Sequence, residues 1–322
     1  MTCEPFVNTH APNSGLLLIG LDGSNPLGFL AALGLLRVLI SAFGPRQLRM
    51  KWSPSVGTWV PAIHSSSHPS LDQDALLDVL CERLPNHIEN HPVRLLDELD
   101  SSKANMDARR RIFTDRIEQS AGADRTQTDW LAALASDIAP PDATNQLQTA
   151  RRDYYFGNLK SVIQHSKRAH LRRSLFHLWD YADPLDNQSL HLDPSEDRRH
   201  AHQWNKPAGD PDRRSSGGML GANRLALEAI PLFTSLPEGG KLRTVGFTGS
   251  SSANTRWTWP IWRVFLDMES IASLLKLGEL QAEVFNRQQR LDLRERGIVA
   301  AYRTRRILVQ KTPNFTPVNR VA

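Results

Sequence analysis

Apolar positions crowd the stretch GLLLIGLDGSNPLGFLAALGLLRVLISAFG, residues 15–44, which reads as a short strand, a tight turn and a helix. Leu16 to Leu21 is the apolar run, and Asp22, Gly23, Ser24 and Asn25 are turn formers. Asn25 or Ser24 can cap the helix, with Pro26 at its first position. From 27 to 43 the helix is apolar on nearly every face, so other layers must cover it. The run from Pro26 to Phe43 is short for a membrane span, carries Arg37 and contains two glycines, which predicts a buried core helix. QLRMKW and GTWVPAIH follow as two strands, completing a strand-helix-strand-strand unit.

Between Leu71 and Ala139 the pattern is helical and mostly polar, including LDQDALLDVLCERL, DARRRIFTDRIEQS and DWLAALASDI. The segment Ala139 to Gln146 lacks apolar periodicity and carries adjacent prolines, so it marks a boundary. The expected organisation is an N-terminal α+β region over 1–140, with a helical acidic insert, and a basic mixed α/β region over 147–322 with a long loop at 191–222. In the latter, Leu159, Val162, Ile163, Ala169 and Leu175 keep helical spacing, with Lys160, Lys167, Arg168 and Arg172 largely on other faces. This predicts one basic amphipathic helix. NRLALEAIPLF is a shorter helix, starting at Asn223 and ended by Pro231. LRTVGFTG and RWTWPIW read as strands, with Trp257 and Trp259 on one side. RGIVAAYRTRRILVQK predicts a closing hairpin with Arg-Thr-Arg-Arg at its turn. The expected class is α+β.

Charge divides the chain unevenly. Residues 1–150 hold 12 Lys+Arg against 17 Asp+Glu, and residues 151–322 hold 27 against 17. Clustered Lys and Arg gain affinity for polyanions by releasing phosphate counterions, so the second half is where such a partner belongs; a basic face that only solubilises is the alternative. The composition, 40% hydrophobic and 23% charged, is that of a chain with a real core. Cys3 and Cys81 make neither a zinc cluster nor a disulfide framework, and no cleavable signal is readable at the start. The expected compartment is therefore the cytoplasm, without a membrane partner.

Catalytic motifs do not stand out. The strand-to-helix turn at 22–25 has no lysine to reach a phosphate, and Gly20, Gly23 and Gly28 are wrongly spaced for a dinucleotide fingerprint. The segment HLDPSEDRRHAHQWNKPAGDPDRR, residues 191–214, packs three histidines, five carboxylates and five cations into 24 residues. His191, His200 and His202, with Asp193 or Asp197, could form a metal set, although Arg198 and Arg199 beside them would repel a cation. The same segment also reads as a salt-bridged loop, or as an arm facing nucleic acid. In that last reading Arg198, Arg199, Lys206, Arg213 and Arg214 contact phosphates and Trp204 offers a stacking face. Tyr302, Arg303, Arg305, Arg306 and Lys311 form a second basic and aromatic set, which also reads as a charge-protected edge strand.

Taken together, GLDGSNPLGFLAALGLLRVL, DPSEDRRHAHQWNKPAGDP, GANRLALEAIPLF, TWPIW and RGIVAAYRTRRILVQKTPNFTP resemble proteins encoded with type I-G (formerly I-U) CRISPR systems. The first segment is similar to the opening of that subtype's large subunit. The resemblance covers the first 60 residues and most of 180–317, and the chain is short for a large subunit, so an accessory or reduced version is the alternative. It implies a non-catalytic subunit of an RNA-guided DNA interference complex in antiviral defence. Guide RNA or target DNA and the other subunits would be its partners, and no cofactor is expected. A metal-dependent nuclease and a protein-binding scaffold without nucleic-acid contact are the rival expectations.

Overall fold

The computed structural model of the chain describes residues 15–95, 106–122, 125–134, 145–149, 152–183, 188–194, 217–238, 241–249, 255–309 and 312–322. The fold is mixed α+β, as the sequence patterning predicts. Strand β1 (Leu16–Leu17), β2 (Leu48–Ser55) and β3 (Thr58–Ser65) form an antiparallel sheet in the order β1-β3-β2. Helix α1 (Pro26–Phe43) enters between β1 and β2, capped by the Asn25 side chain, which accepts from Leu27 N at 2.9 Å. The turn before it is closed to a phosphate. The Asp22 carboxylate already accepts from Ser24 N at 2.8 Å, and the Trp52 ring packs so closely on Gly23 that a Cβ there would lie 2.7 Å away.

Helices α2 (Gln73–Arg83), α3 (Met106–Ala121), α4 (Arg125–Leu134), α5 (Arg152–His165) and α6 (Arg168–Phe176) follow, then α7 (Leu220–Ala229). The single basic helix expected across 159–175 is thus two. Lys167 is extended at φ −134°, and Ser166 turns its hydroxyl back onto the Val162 carbonyl at 2.6 Å, a bond that competes with continuing the helix. Each half buries its own apolar residues, Leu159, Val162 and Ile163 in one and Leu171 and Leu175 in the other, while Ala169 is exposed.

Every residue of α7 is buried, lying between α1 and α6. Backbones touch on both sides: a Cβ on Gly34 of α1 would sit 1.8 Å from the Leu225 carbonyl oxygen, and one on Gly221 would sit 2.2 Å from that of His170. Two charged residues are therefore enclosed. Arg224 pairs with Glu228, whose carboxylate also meets His91 at 2.9 Å and Arg37 at 3.6 Å. His91 Nδ1 accepts from Val93 N at 3.1 Å, which leaves Nε2 as the protonated nitrogen that donates to Glu228.

The remaining strands are β4 (Ser235–Glu238), β5 (Lys241–Thr244), β6 (Phe247–Thr248), β7 (Thr255–Trp262), β8 (Ile298–Val309), β9 (Thr312–Phe315) and β10 (Asn319–Arg320), with helices α8 (Met268–Leu275) and α9 (Arg287–Glu295) between β7 and β8. β4 and β5 make a hairpin; the other five form one antiparallel sheet. Here the expected hairpin at Arg-Thr-Arg-Arg is corrected. β8 runs unbroken through those residues, because its backbone is paired with β7 on one edge and with β10 and β9 on the other. The chain reverses only after Val309.

The two larger sheets meet around Phe29 of α1, whose ring lies 5.7 to 6.3 Å from those of Trp52, Trp257, Trp259 and Trp262. Trp257 and Trp259 do share one side of β7, their rings 4.6 Å apart. Indole hydrogen bonds add to this packing: Trp259 Nε1 donates to the Gly23 carbonyl in the turn before α1, and Trp262 Nε1 to that of Met50 in β2, both at 2.9 Å. One core cluster contains Leu30, Leu76, Leu225 and Trp259 together, so the boundary expected near 140–147 does not divide the hydrophobic core. The described part of that boundary, 145–149, is itself buried: Asn145 donates to the carbonyls of Ala133 and Phe233, at 2.9 and 2.7 Å. The one helix among the described residues long and apolar enough to cross a membrane is α1, and it lies in this core.

Candidate nucleic-acid interface

The arginines of β8 differ in what covers them. Arg303 points inward, 9% exposed, and places its donors on Thr258 Oγ1 (2.8 Å) and on the carbonyls of Leu280, Ala282 and Glu283. Burial pushes its pKa down, and its guanidinium stacks on Phe285 at 5.5 Å. It fastens the 280–285 segment to the sheet and has no donor directed at an external phosphate. Arg306 is half-buried and donates from Nε and Nη2 to the Gln148 carbonyl, at 3.2 and 2.9 Å. Its pKa is pushed down to about 10 by burial, which leaves it charged at neutral pH but inside the protein. Tyr302 is half-buried against Trp259, and its hydroxyl accepts from Trp59 Nε1 at 3.1 Å.

Arg305 is the exception. Its side chain is exposed, and no carboxylate pairs with it among the described residues. Its cross-strand neighbour is Arg256, which holds Glu283 at 2.9 Å. The covered and the exposed arginine of this strand therefore separate by measurement. Arg303→Ala lowers stability by about 3 kcal/mol, because buried acceptors lose a charged donor, whereas Arg305→Ala changes it by less than about 0.5 kcal/mol. Urea unfolding of the two variants checks this, and equal losses would refute the assignment.

The other sequence-predicted residues divide between the described and the rest. Arg198, Arg199, His200, His202, Trp204, Lys206, Arg213, Arg214 and Lys311 lie outside the described residues. His191 is described: it is half-buried with φ +54°, its amide donating to Ser189 Oγ at 2.9 Å. Asp193 is fully buried and accepts from the Tyr181 hydroxyl at 2.8 Å. Among the described residues no group of three His, Cys, Asp or Glu side chains could hold a metal ion.

Both flanks of 195–216 are built into the body. Asp183 and Gly218 exchange backbone hydrogen bonds at 3.1 and 2.7 Å, the Asp183 carboxylate accepts from Leu220 N at 2.7 Å, and Arg173 holds the same carboxylate. Of the loop expected over 191–222, residues 191–193 are irregular but held against the body, and the helix expected at Asn223 begins at Leu220.

Part of the basic excess in the second half is answered within the chain. Arg168 and Arg172 of α6 pair with Asp74 and Asp78 of α2, so the acidic insert neutralises part of the basic region. The surplus concentrates further on: residues 241–322 carry 14 Lys+Arg against 6 Asp+Glu. Two of those acids are already taken, Glu283 by Arg256 and Glu279 by Arg296 at 2.7 Å.

The structure also brings together a groove of about 340 Å³ where the β4–β5 hairpin meets the segment after α8. Arg243 and Lys276, both exposed, line it together with Leu236, Phe247, Leu275 and Gln281. Sequence reasoning does not find it, because the residues come from two stretches that carry no shared periodicity.

No family model matches the chain, and no curated protein matches it.

Proposed function

We propose that the protein is a non-catalytic, nucleic-acid-binding subunit of a CRISPR RNA-guided DNA interference complex, contacting phosphate backbone with the basic residues of its C-terminal region. One observation supports this above the others. Arg305 stands exposed on the central strand of the larger sheet, in a region with more than twice as many cations as carboxylates, while the nearby Glu283 and Glu279 are already paired. An exposed guanidinium in such a field releases counterions when it meets a phosphate. The resemblance of the N-terminal and C-terminal segments to type I-G proteins supplies the context.

The test is purification of the tagged protein from its own host, with sequencing of accompanying RNA and identification of accompanying proteins. Short RNAs of repeat-spacer structure, together with other interference subunits, are the expected result. For a single strand bound in vitro, Arg305→Glu should weaken affinity and lower the slope of log K against log salt by about 1. An unchanged slope removes β8 from the interface, and absence of both RNA and subunits overturns the assignment.

A further inference from the structure

The geometry points to one end of the first sheet, where Arg49 and Lys51 of β2 meet His64 of β3 and Phe265, as a second surface for the phosphate backbone of a nucleic-acid strand. It lies on other residues than the C-terminal contact proposed above and rests on that reading only for the choice of phosphate as the anion. Local charge singles it out. The first half of the chain is acidic as a whole, yet residues 23–71 contain no Asp or Glu while they hold Arg37, Arg46, Arg49 and Lys51. Arg37 is taken by Glu228 at 3.6 Å, and no ion pair joins the other three to a carboxylate of the described residues.

Strand pairing sets the arrangement. Arg49 stands opposite His64 in the β2–β3 register, and Met50 exchanges backbone hydrogen bonds with Leu266 at 2.9 and 3.0 Å, which brings Phe265 alongside β2. The Lys51 ammonium lies 4.5 Å from the centre of the Phe265 ring, and the His64 ring 5.4 Å from it. A neutral ring holds an ammonium in place without cancelling its charge, as a carboxylate would. The Asp267 carboxylate feels the Arg49 charge, but it caps α8 by accepting from Ser270 N at 2.9 Å and forms no ion pair with Arg49. Arg49 is exposed and Lys51 and His64 are half-buried, whereas Val60 and Ala62 further along β3 are buried, so the patch is confined to this end. Residues two apart on a strand face the same side about 7 Å apart. That is close to the step between successive phosphates, so Arg49 and Lys51 suit two neighbouring phosphates of one strand.

Fluorescence anisotropy of a labelled single-stranded RNA 12-mer, titrated with the full chain over a range of salt, tests the assignment. Arg49→Gln combined with Lys51→Gln should weaken binding about tenfold at low salt and lower the slope of log K against log salt by about 1.4, two contacts at about 0.7 each. Arg49→Gln alone, at an exposed position, should give about half of that change in slope and keeps the test decisive if the double variant does not fold. Loss in these variants with Arg305→Glu silent supports this surface and counts against the C-terminal one. A slope unchanged by both overturns this surface, while a slope lowered by Arg305→Glu would leave the proposed function standing on its own contact. Poly-glutamate of matching charge that displaces the strand as well as unlabelled RNA does would make the partner an acidic protein and overturn the assignment. Failure of the wild-type chain to bind the strand also overturns this surface and leaves the function to the co-purification above.

Discussion

Glu228→Gln should lower the stability of the protein by about 3–5 kcal/mol, the cost of leaving a buried charge without its partner. Arg224 is fully enclosed within α7, and the Glu228 carboxylate is the anion beside it, shared with His91 and Arg37. Glutamine keeps the size and one acceptor, so the loss reports charge more than packing. The effect depends on pH in a definite direction. Burial alone would raise the Glu228 pKa, but the Arg224 charge, followed by His91, outweighs it and holds the carboxylate well below its ordinary value of 4.5. A group whose folded-state value is depressed stabilises fully above its unfolded value and loses that contribution as pH falls through the folded one. The gap between wild type and variant in urea unfolding should therefore be widest near neutrality and narrow below about pH 4. A gap that stays constant into acid would show that the carboxylate's charge is not what holds the cluster.

Gly34→Ala should destabilise by about 3 kcal/mol or more, the upper end of overpacking effects. Helix propensity alone argues the opposite, since alanine is favoured over glycine in a helix interior by about 1 kcal/mol. Contact decides the sign. The new Cβ would lie 1.8 Å from the Leu225 carbonyl oxygen, 2.8 Å from its carbon and 3.0 Å from Ala229 N, all backbone atoms that cannot rotate aside. α1 must then withdraw from α7 and open the core along its length. Gly157→Ala in α5 is the control, because a Cβ there meets nothing within 4 Å; it should be neutral or stabilising by up to about 1 kcal/mol. Thermal unfolding of both variants measures the difference, and a stabilised Gly34→Ala would mean that the helices do not approach this closely.

Where local rules act alone, the sequence is a good guide. The Asn25-Pro26 start of α1 is capping chemistry, and the alternation that puts Trp257 and Trp259 together is the pleat of a strand. Legibility fails where tertiary partners override local preference. Arg-Thr-Arg-Arg has the look of a polar turn, yet two-edge pairing keeps β8 extended and turns Arg303 inward onto carbonyls from 280–283. Arg224 and Glu228, four apart on a helix, resemble an exposed pair; only the layers on both sides of α7 reveal that they are enclosed. The groove is the least legible of all, since Arg243, Lys276 and Gln281 share no motif and meet through the docking of a hairpin on a later segment. Of the three candidate arginines on β8, Arg305 is the one whose side chain stands exposed.

Asp183 carries more of the fold than its place in an irregular stretch suggests. Tyr181 holds Asp193 and Asp183 holds Gly218, so the body itself brings the two flanks of 195–216 together. Asp183 is thus a joint between three stretches of chain, taking Gly218 through its backbone and both Leu220 N and Arg173 through its carboxylate.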